Sequence, residues 1–201
     1  MHPKIYQKFE QICLAHNITG RVLEIGAVPT KDSLLGMKSL QNATEKIGVN
    51  LDGPYKHLDF TILKGNANKM AFDDDQFDLT LCNGVLEHDR FFWKTISEIR
   101  RVTKPGGLIA IGAPGYTELS IFSFLGRNNI VLRTLRKIRW LASTPALLRS
   151  TFTLEIHNAP GDFYRFSPQA FQDVLFEEME NVEIHSIMMP PVIIGIGTKP
   201  L

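Results

Sequence analysis

The stretch Val22-Leu23-Glu24-Ile25-Gly26-Ala27 runs an apolar strand into an acidic residue and then, two positions on, a glycine. An open α/β sheet holds its ligands outside the carboxyl ends of its strands, and the turn after the first strand is where a nucleoside site begins. Glycine there allows a tight turn and close approach of a ligand to the backbone. A carboxylate beside it can accept hydrogen bonds from a cation or a hydroxyl. The segments on either side decide whether this turn belongs to such a sheet.

Upstream, Ile5, Phe9, Ile12, Cys13 and His16 recur at helical spacing and predict a leading helix over 4–16, punctuated by Gly20. Residues 21–25 read as a short buried strand. Asp32 or Ser33 is placed to cap a helix running through about Leu40. Further strands are expected at 46–51, at 59–63 and at 77–82, the last preceded by the acidic turn Asp73-Asp74-Asp75. Phe91, Phe92, Thr95, Ile96, Ile99 and Val102 form a helical stripe that Lys104-Pro105-Gly106-Gly107 ends, and 108–113 is a fifth strand. Strands alternating with helices imply a doubly wound, mostly parallel sheet. Ser167-Pro168 opens a late helix with proline at its first position. The last two strands, 182–187 and 192–198, are joined by Met189-Pro190-Pro191. So short a link permits only an antiparallel pair.

Composition adds exclusions. The chain has 201 residues with a formal net charge of +1, which fits one domain over 1–201 and demands neither nucleic acid nor a membrane. Cys13 and Cys82, far apart in apolar contexts, read as core residues, and no metal site is expected. The opening residues lead into an amphipathic stretch and no long apolar run follows, so neither a secretory signal nor a transmembrane span is expected, and the location expected is cytoplasmic. Charge is uneven: residues 117–150 hold six cations, Arg127, Arg133, Arg136, Lys137, Arg139 and Arg149, against the single acid Glu118. In this break of the pattern Val131, Leu135 and Ile138 share one helical face, so 117–156 reads as an inserted helical lid after strand five.

Polar residues gather at the strand ends. The first ends at Glu24-Ile25-Gly26-Ala27, the second at Asn50-Leu51-Asp52, placed for ribose hydroxyls. Gly65-Asn66-Ala67 follows the third, where a side-chain amide would meet an adenine edge. Asn83-Gly84-Val85-Leu86-Glu87-His88 follows the fourth, and Tyr116 the fifth.

The run Gly65-Asn66-Ala67, Met70-Ala71-Phe72, Phe77-Asp78, Asn83 to His88, Glu98-Ile99-Arg100-Arg101-Val102, Lys104-Pro105-Gly106-Gly107 resembles, in order and spacing, the class I S-adenosylmethionine-dependent methyltransferases of the type 11, small-molecule kind. Phe163-Tyr164-Arg165-Phe166-Ser167-Pro168 resembles that family's passage into its late helix. The resemblance implies a Rossmann-like, seven-stranded sheet with an antiparallel last strand. It implies S-adenosylmethionine as cofactor and S-adenosylhomocysteine as product, with a small-molecule methyl acceptor. It assigns cofactor contacts to Glu24, Gly26, Ala27, Asn50, Leu51, Asp52, Asn66, Ala67, Asn83, Gly84 and Val85. The chain departs from the pattern in three places: Val28 and Thr30 stand where further glycines belong, Asn50 aligns with the acid ending strand two, and Asn66 replaces an aspartate.

His88, His157 and Tyr164 are the candidates for a catalytic base, and Tyr116, Asp162 and Arg165 for contact with the acceptor; each also has a plain reading as a turn or loop anchor. The basic insertion reads as a lid, as a docking face for a membrane surface or partner, or as a homodimer contact. No stacking platform accompanies its cations, so nucleic acid is not expected. The departures also motivate a second reading, a non-catalytic S-adenosylmethionine-binding or regulatory protein. A nicotinamide oxidoreductase is disfavoured, because Gly26 to Lys31 lacks the glycines that approach to a pyrophosphate requires.

Overall fold

The computed structural model describes residues 1–116, 153–155 and 161–201. Residues 117–152 and 156 of the insertion, and His157, lie outside the described residues. Helix α1, Pro3–His16, starts with proline in its first turn and the His2 side chain accepting from the Lys4 amide; Asn17 ends it in the left-handed conformation. Ile5, Phe9, Ile12 and Cys13 face the core as the spacing predicts, whereas His16 is exposed.

Among the described residues the strands form one eight-stranded sheet in the order β3-β4-β2-β1-β5-β6-β8-β7. They are β1 (Arg21–Ile25), β2 (Glu45–Asn50), β3 (Tyr55–His57), β4 (Phe60–Lys64), β5 (Phe77–Asn83), β6 (Thr103–Pro114), β7 (Glu180–Met188) and β8 (Pro191–Thr198). Strand β1 pairs in parallel with both β2 and β5, β2 with β4, and β5 with β6. Strand β8 runs antiparallel between β6 and β7, as the short proline link requires. The expected seven strands are therefore present. The eighth, β3, is a three-residue edge strand hairpinned onto β4, too short to leave a periodic signal.

Two apolar layers sandwich the sheet. Helix α1 and the segment after β1 cover one face, with Phe9, Leu34, Leu35, Phe60 and Ile62 inside. The other face is covered by helix α2 (Phe92–Val102) and by helix α3 (Pro168–Ala170), which Ser167 caps and which continues as a π-helical turn, Phe171–Leu175. The helix expected from Ser33 to Leu40 is instead two 3-10 turns, Leu34–Gly36 and Lys38–Leu40. Ser33 does cap the first, but Met37 between them is extended (ψ 141°) and breaks the helical run.

Arg100 and Arg101 do not simply face solvent. Arg101 binds Glu98 and Asp74 and donates to the carbonyls of Met70 and Phe72, while Glu98 accepts from the Met70 amide. This clamp holds the long β4–β5 connection against α2. Arg100 donates to the Val174 and Leu175 carbonyls at the end of the late helix.

The late helix reaches the sheet because β8 has no side chain at Gly195: a Cβ there would lie 2.9 Å from the Phe171 ring and overlap Phe176. Gly195→Ala is expected to cost about 1–3 kcal/mol by overpacking, read as a lower urea midpoint at unchanged slope.

Candidate functional site

The parallel strands deliver their carboxyl ends to one edge of the sheet, and there glycine amides tie one turn to the next. The Gly26 amide donates to the Val49 carbonyl (2.8 Å), Gly65 to Asn50 (2.8 Å), and Gly84 to Gly112 (3.0 Å). Gly26 and Gly84 take φ of +79° and +67°, a region other residues rarely enter. The edge thus brings together Gly26, Ala27, Asn50, Leu51, Asp52, Asn66, Ala67, Asn83, Gly84 and Val85, all singled out from the sequence.

Glu24 also lies at this edge, but its carboxylate turns inward. It is 4% exposed and accepts from the Ser33 hydroxyl and from the Leu34 and Leu35 amides, at 3.0 and 3.2 Å. Burial pushes its carboxyl up, and these bonds pull it back. Glu24 therefore holds the turn in shape and presents no oxygen to a ligand. Asn50 is similarly committed: its amide donates to the Ala27 carbonyl (2.8 Å) and its oxygen accepts from the Asp52 amide (3.2 Å). That arrangement leaves Asp52, exposed and next to the same turn, as the carboxylate available for a diol. Asn66 accepts from the Asn68 amide (2.9 Å), a turn bond that keeps its own NH2 group for a ligand.

A second group sits where β5 and β6 end. The segment 161–166 is laced onto them: the Phe163 amide donates to the Glu87 carbonyl (2.7 Å), Tyr116 to Phe166 (3.0 Å) and Phe166 to Pro114 (3.1 Å). Arg165 holds Asp162 through both terminal nitrogens and also donates to the Tyr164 carbonyl. The Asp162 side chain is fully buried and its charge raises the Arg165 pKa. Of the three Arg165 nitrogens, Nε alone has no partner among the described residues. His88 Nδ1 contacts the Gly161 carbonyl. A carbonyl only accepts, so Nδ1 carries a proton. Nε2 faces Glu87 Oε1 at 3.8 Å.

Glu87 is the residue that sequence reading passed over. It is 3% exposed, its Oε2 has no hydrogen-bond partner among the described residues, and burial pushes its carboxyl up, with its own backbone amide, His88 and Arg165 opposing. The signal was present: an acid directly after the apolar pair Val85-Leu86 and before a histidine. Tyr164, by contrast, points elsewhere. Its hydroxyl donates to the Arg90 carbonyl (2.9 Å) and its ring packs on Phe92, so it anchors the segment. Tyr116 is exposed beside the cluster.

Comparison with known proteins fits this geometry. A methyltransferase-domain family model matches residues 35–111. A demethylmenaquinone methyltransferase of Lysinibacillus sphaericus is 30% identical over 104 residues, 49% of this chain and 43% of that one. The chain thus spans less than half the length of that relative. Among solved structures, the 1,6-didemethyltoxoflavin-N1-methyltransferase of Burkholderia thailandensis, with S-adenosylhomocysteine bound, superposes with TM-score 0.62 at 13% identity, covering 98% of this chain and 78% of that one. The N-methyltransferase NodS of Bradyrhizobium japonicum, also holding S-adenosylhomocysteine, gives 0.58 at 10% identity, covering 98% and 87%. Sheet order and structural superposition together define a Rossmann-like methyltransferase fold, and the sequence match over residues 35–111 is to a methyltransferase domain.

The orphaned oxygen of Glu87 makes a stability prediction. A carboxyl whose folded-state pKa is raised loses stability as pH climbs above its unfolded value, near 4.5, because the unfolded chain gives up the proton first. Glu87→Gln removes that loss. Its stability relative to the parent is expected to rise as pH climbs above about 4.5, read by urea unfolding.

Proposed function

We propose that this chain transfers a methyl group from S-adenosylmethionine to a small-molecule acceptor bound beside Glu87 and His88. The observation that carries the reading is the placement, along one sheet edge, of a row of polar groups next to a buried carboxyl, one oxygen of which has no hydrogen-bond partner among the described residues. The residues fit the cofactor by the chemistry of that row. Asp52 would accept from the ribose hydroxyls, the Asn66 amide and the Ala67 backbone would meet the adenine edge, and Gly26 with Asn83 and Gly84 would border the methionine end. Bound there, S-adenosylmethionine supplies an electrophilic methyl on a sulfonium.

The rest is the work of the chain. The Asp162–Arg165 pair and the hydrogen bonds of 161–166 hold the acceptor side rigid, so reacting atoms can be kept about 3–3.5 Å apart. Glu87 takes the proton that an oxygen, nitrogen or carbon nucleophile must lose, and burial, which pushes its carboxyl up, makes it a stronger base than a solvated carboxylate. His88 Nε2, beside Glu87, shares or passes on that proton. The lid assigned to 117–156, the His157 role and a cytoplasmic, single-domain enzyme remain part of this reading. None of these lies within the described residues or follows from them; among the described residues no helix is long and apolar enough to cross a membrane.

One observation favours the second reading, a binding protein without turnover: Glu24 is consumed by its own turn, and Val85 packs where a Cβ on Gly26 would stand. Titration calorimetry and turnover separate the two. S-adenosylmethionine and S-adenosylhomocysteine are expected to bind, and Asp52→Ala to weaken both by roughly 10- to 100-fold, the worth of hydrogen bonds to a charged group. Absence of binding by folded protein would sink both readings. Release of S-adenosylhomocysteine over a panel of phenols, amines and enolisable carbon acids marks the enzyme. With an accepted substrate, Glu87→Gln should lower kcat by about 10²- to 10⁴-fold with little change in KM.

A further inference from the structure

Where the turn after β5 enters α2, the chain reads Arg90-Phe91-Phe92-Trp93-Lys94. Phe92 packs inward against Tyr164 and Phe166. Phe91 and Trp93 do not: they are 43% and 52% exposed, and Phe163 from the facing segment is 51% exposed. The three rings belong to one platform. Trp93 meets Phe91 edge-on at 5.7 Å and Phe92 at 5.6 Å, Arg90 lies over the Phe163 ring at 5.9 Å, and Lys94 lies over Phe91 at 5.0 Å. The Tyr164 hydroxyl on the Arg90 carbonyl and the Phe163 amide on the Glu87 carbonyl bind the two segments together.

The charge of this platform has one sign. Arg90 and Lys94 are exposed and have no carboxylate partner among the described residues. The neighbouring acids are held by partners other than Arg90 and Lys94. Asp89 accepts from Asn68, Thr95 and the Phe91 amide, and Glu98 accepts from Arg101 and the Met70 amide. After Tyr116 the sequence continues into residues 117–150, with six cations and one acid. Exposed rings interleaved with unpaired cations have two needs. The rings seek a partly apolar layer, and the cations seek anions just outside it. The interfacial zone of an anionic bilayer offers both, with aromatic rings at headgroup level and cations at the phosphates.

We propose that the ridge formed by Arg90, Phe91, Trp93, Lys94 and Phe163 docks the protein on an anionic membrane surface. It rings the proposed acceptor side, since Phe163 and Arg90 are hydrogen-bonded to the Glu87 and Tyr164 segments, so docking turns the mouth of that site toward the lipid. The proposal does not depend on the methyl-transfer reading: binding to lipid and binding to S-adenosylmethionine are separate measurements.

The test is sedimentation of the full chain with vesicles of phosphatidylcholine alone or mixed with phosphatidylglycerol. A Trp140→Phe form leaves Trp93 as the fluorescent reporter. Binding to the mixed vesicles is expected, weakening with salt, with a blue shift of Trp93 emission and quenching by brominated lipid. Lys94→Glu and Arg90→Glu should each reduce partition at least roughly fivefold, the worth of one cation near such a surface. Trp93→Ala with Phe163→Ser should abolish the bound fraction while circular dichroism and calorimetry with S-adenosylhomocysteine stay as in the parent. Three results would overturn the proposal: no binding to mixed vesicles at low salt, binding that these substitutions leave intact, or a vesicle-independent, concentration-dependent shift of Trp93. The last would assign the ridge to a protein partner or a second copy.

Discussion

A carboxylate buried in the middle of a sheet needs donors, and the way Glu24 obtains them shapes the whole ligand edge. Strand β1 lies between β2 and β5 and is buried along most of its length, so a charge at its fourth position has no water to turn to. Leaving it unpaired would cost several kcal/mol. The chain answers with Ser33, Leu34 and Leu35, whose hydroxyl and amides close on it. The first free amides of a helical turn point along its axis and are natural partners for an anion. Pinning them to Glu24 fixes where the turn after Gly26 must travel. That path, in turn, puts the Ala27 carbonyl within reach of Asn50 and leaves Asp52 uncommitted at the rim.

The two buried acids make an instructive pair. Glu24 and Glu87 are both almost wholly shielded and both pushed up by burial. Glu24 has three donors and a structural task. Glu87 has His88 near one oxygen and, among the described residues, no hydrogen-bond partner on the other. A fold tolerates an unsatisfied buried polar atom rarely, and each one calls for an explanation. That difference, rather than the resemblance of a motif, is what the proposed function rests on when it takes Glu24 as a scaffold acid and Glu87 as a working one.

Much of the fold was legible because it rests on periodicity. Helix α1, the five parallel strands read from the sequence and the antiparallel closing pair were expected within a residue or two at most ends; β6 starts earlier, at Thr103, which pairs with Phe77 before the register shifts past Lys104-Pro105-Gly106-Gly107 to Leu79–Leu108. Met189-Pro190-Pro191 settled the last pairing by length alone. What escaped was set by contacts. The 33–40 segment carries helical spacing, yet the hold of Glu24 on its start and the extended Met37 break it into two short turns. Asn50 and Asn66 looked like weakened ligand groups; in place, each first completes a backbone turn. Tyr164 had the right chemistry for a base and the wrong direction, because aromatic packing on Phe92 aims its hydroxyl at a carbonyl. Direction of a side chain is tertiary information, and no spacing rule carries it.

The same reasoning shows how the chain can depart from the usual glycine-rich turn and still serve a nucleoside. Extra glycines let backbone approach a ligand closely. Here the loop past Ala27 is instead stiffened by its own bonds, Thr30 amide to Val28 carbonyl and Asp32 amide to the Thr30 hydroxyl. A stiff loop forfeits close contacts but loses less freedom on binding. Recognition would then shift from the backbone of the first turn to side chains on the later ones, Asp52 and Asn66, which ordered turns already hold in place. On this account the departures relocate the grip on the nucleoside along the edge, and leave the geometry around Glu87 untouched.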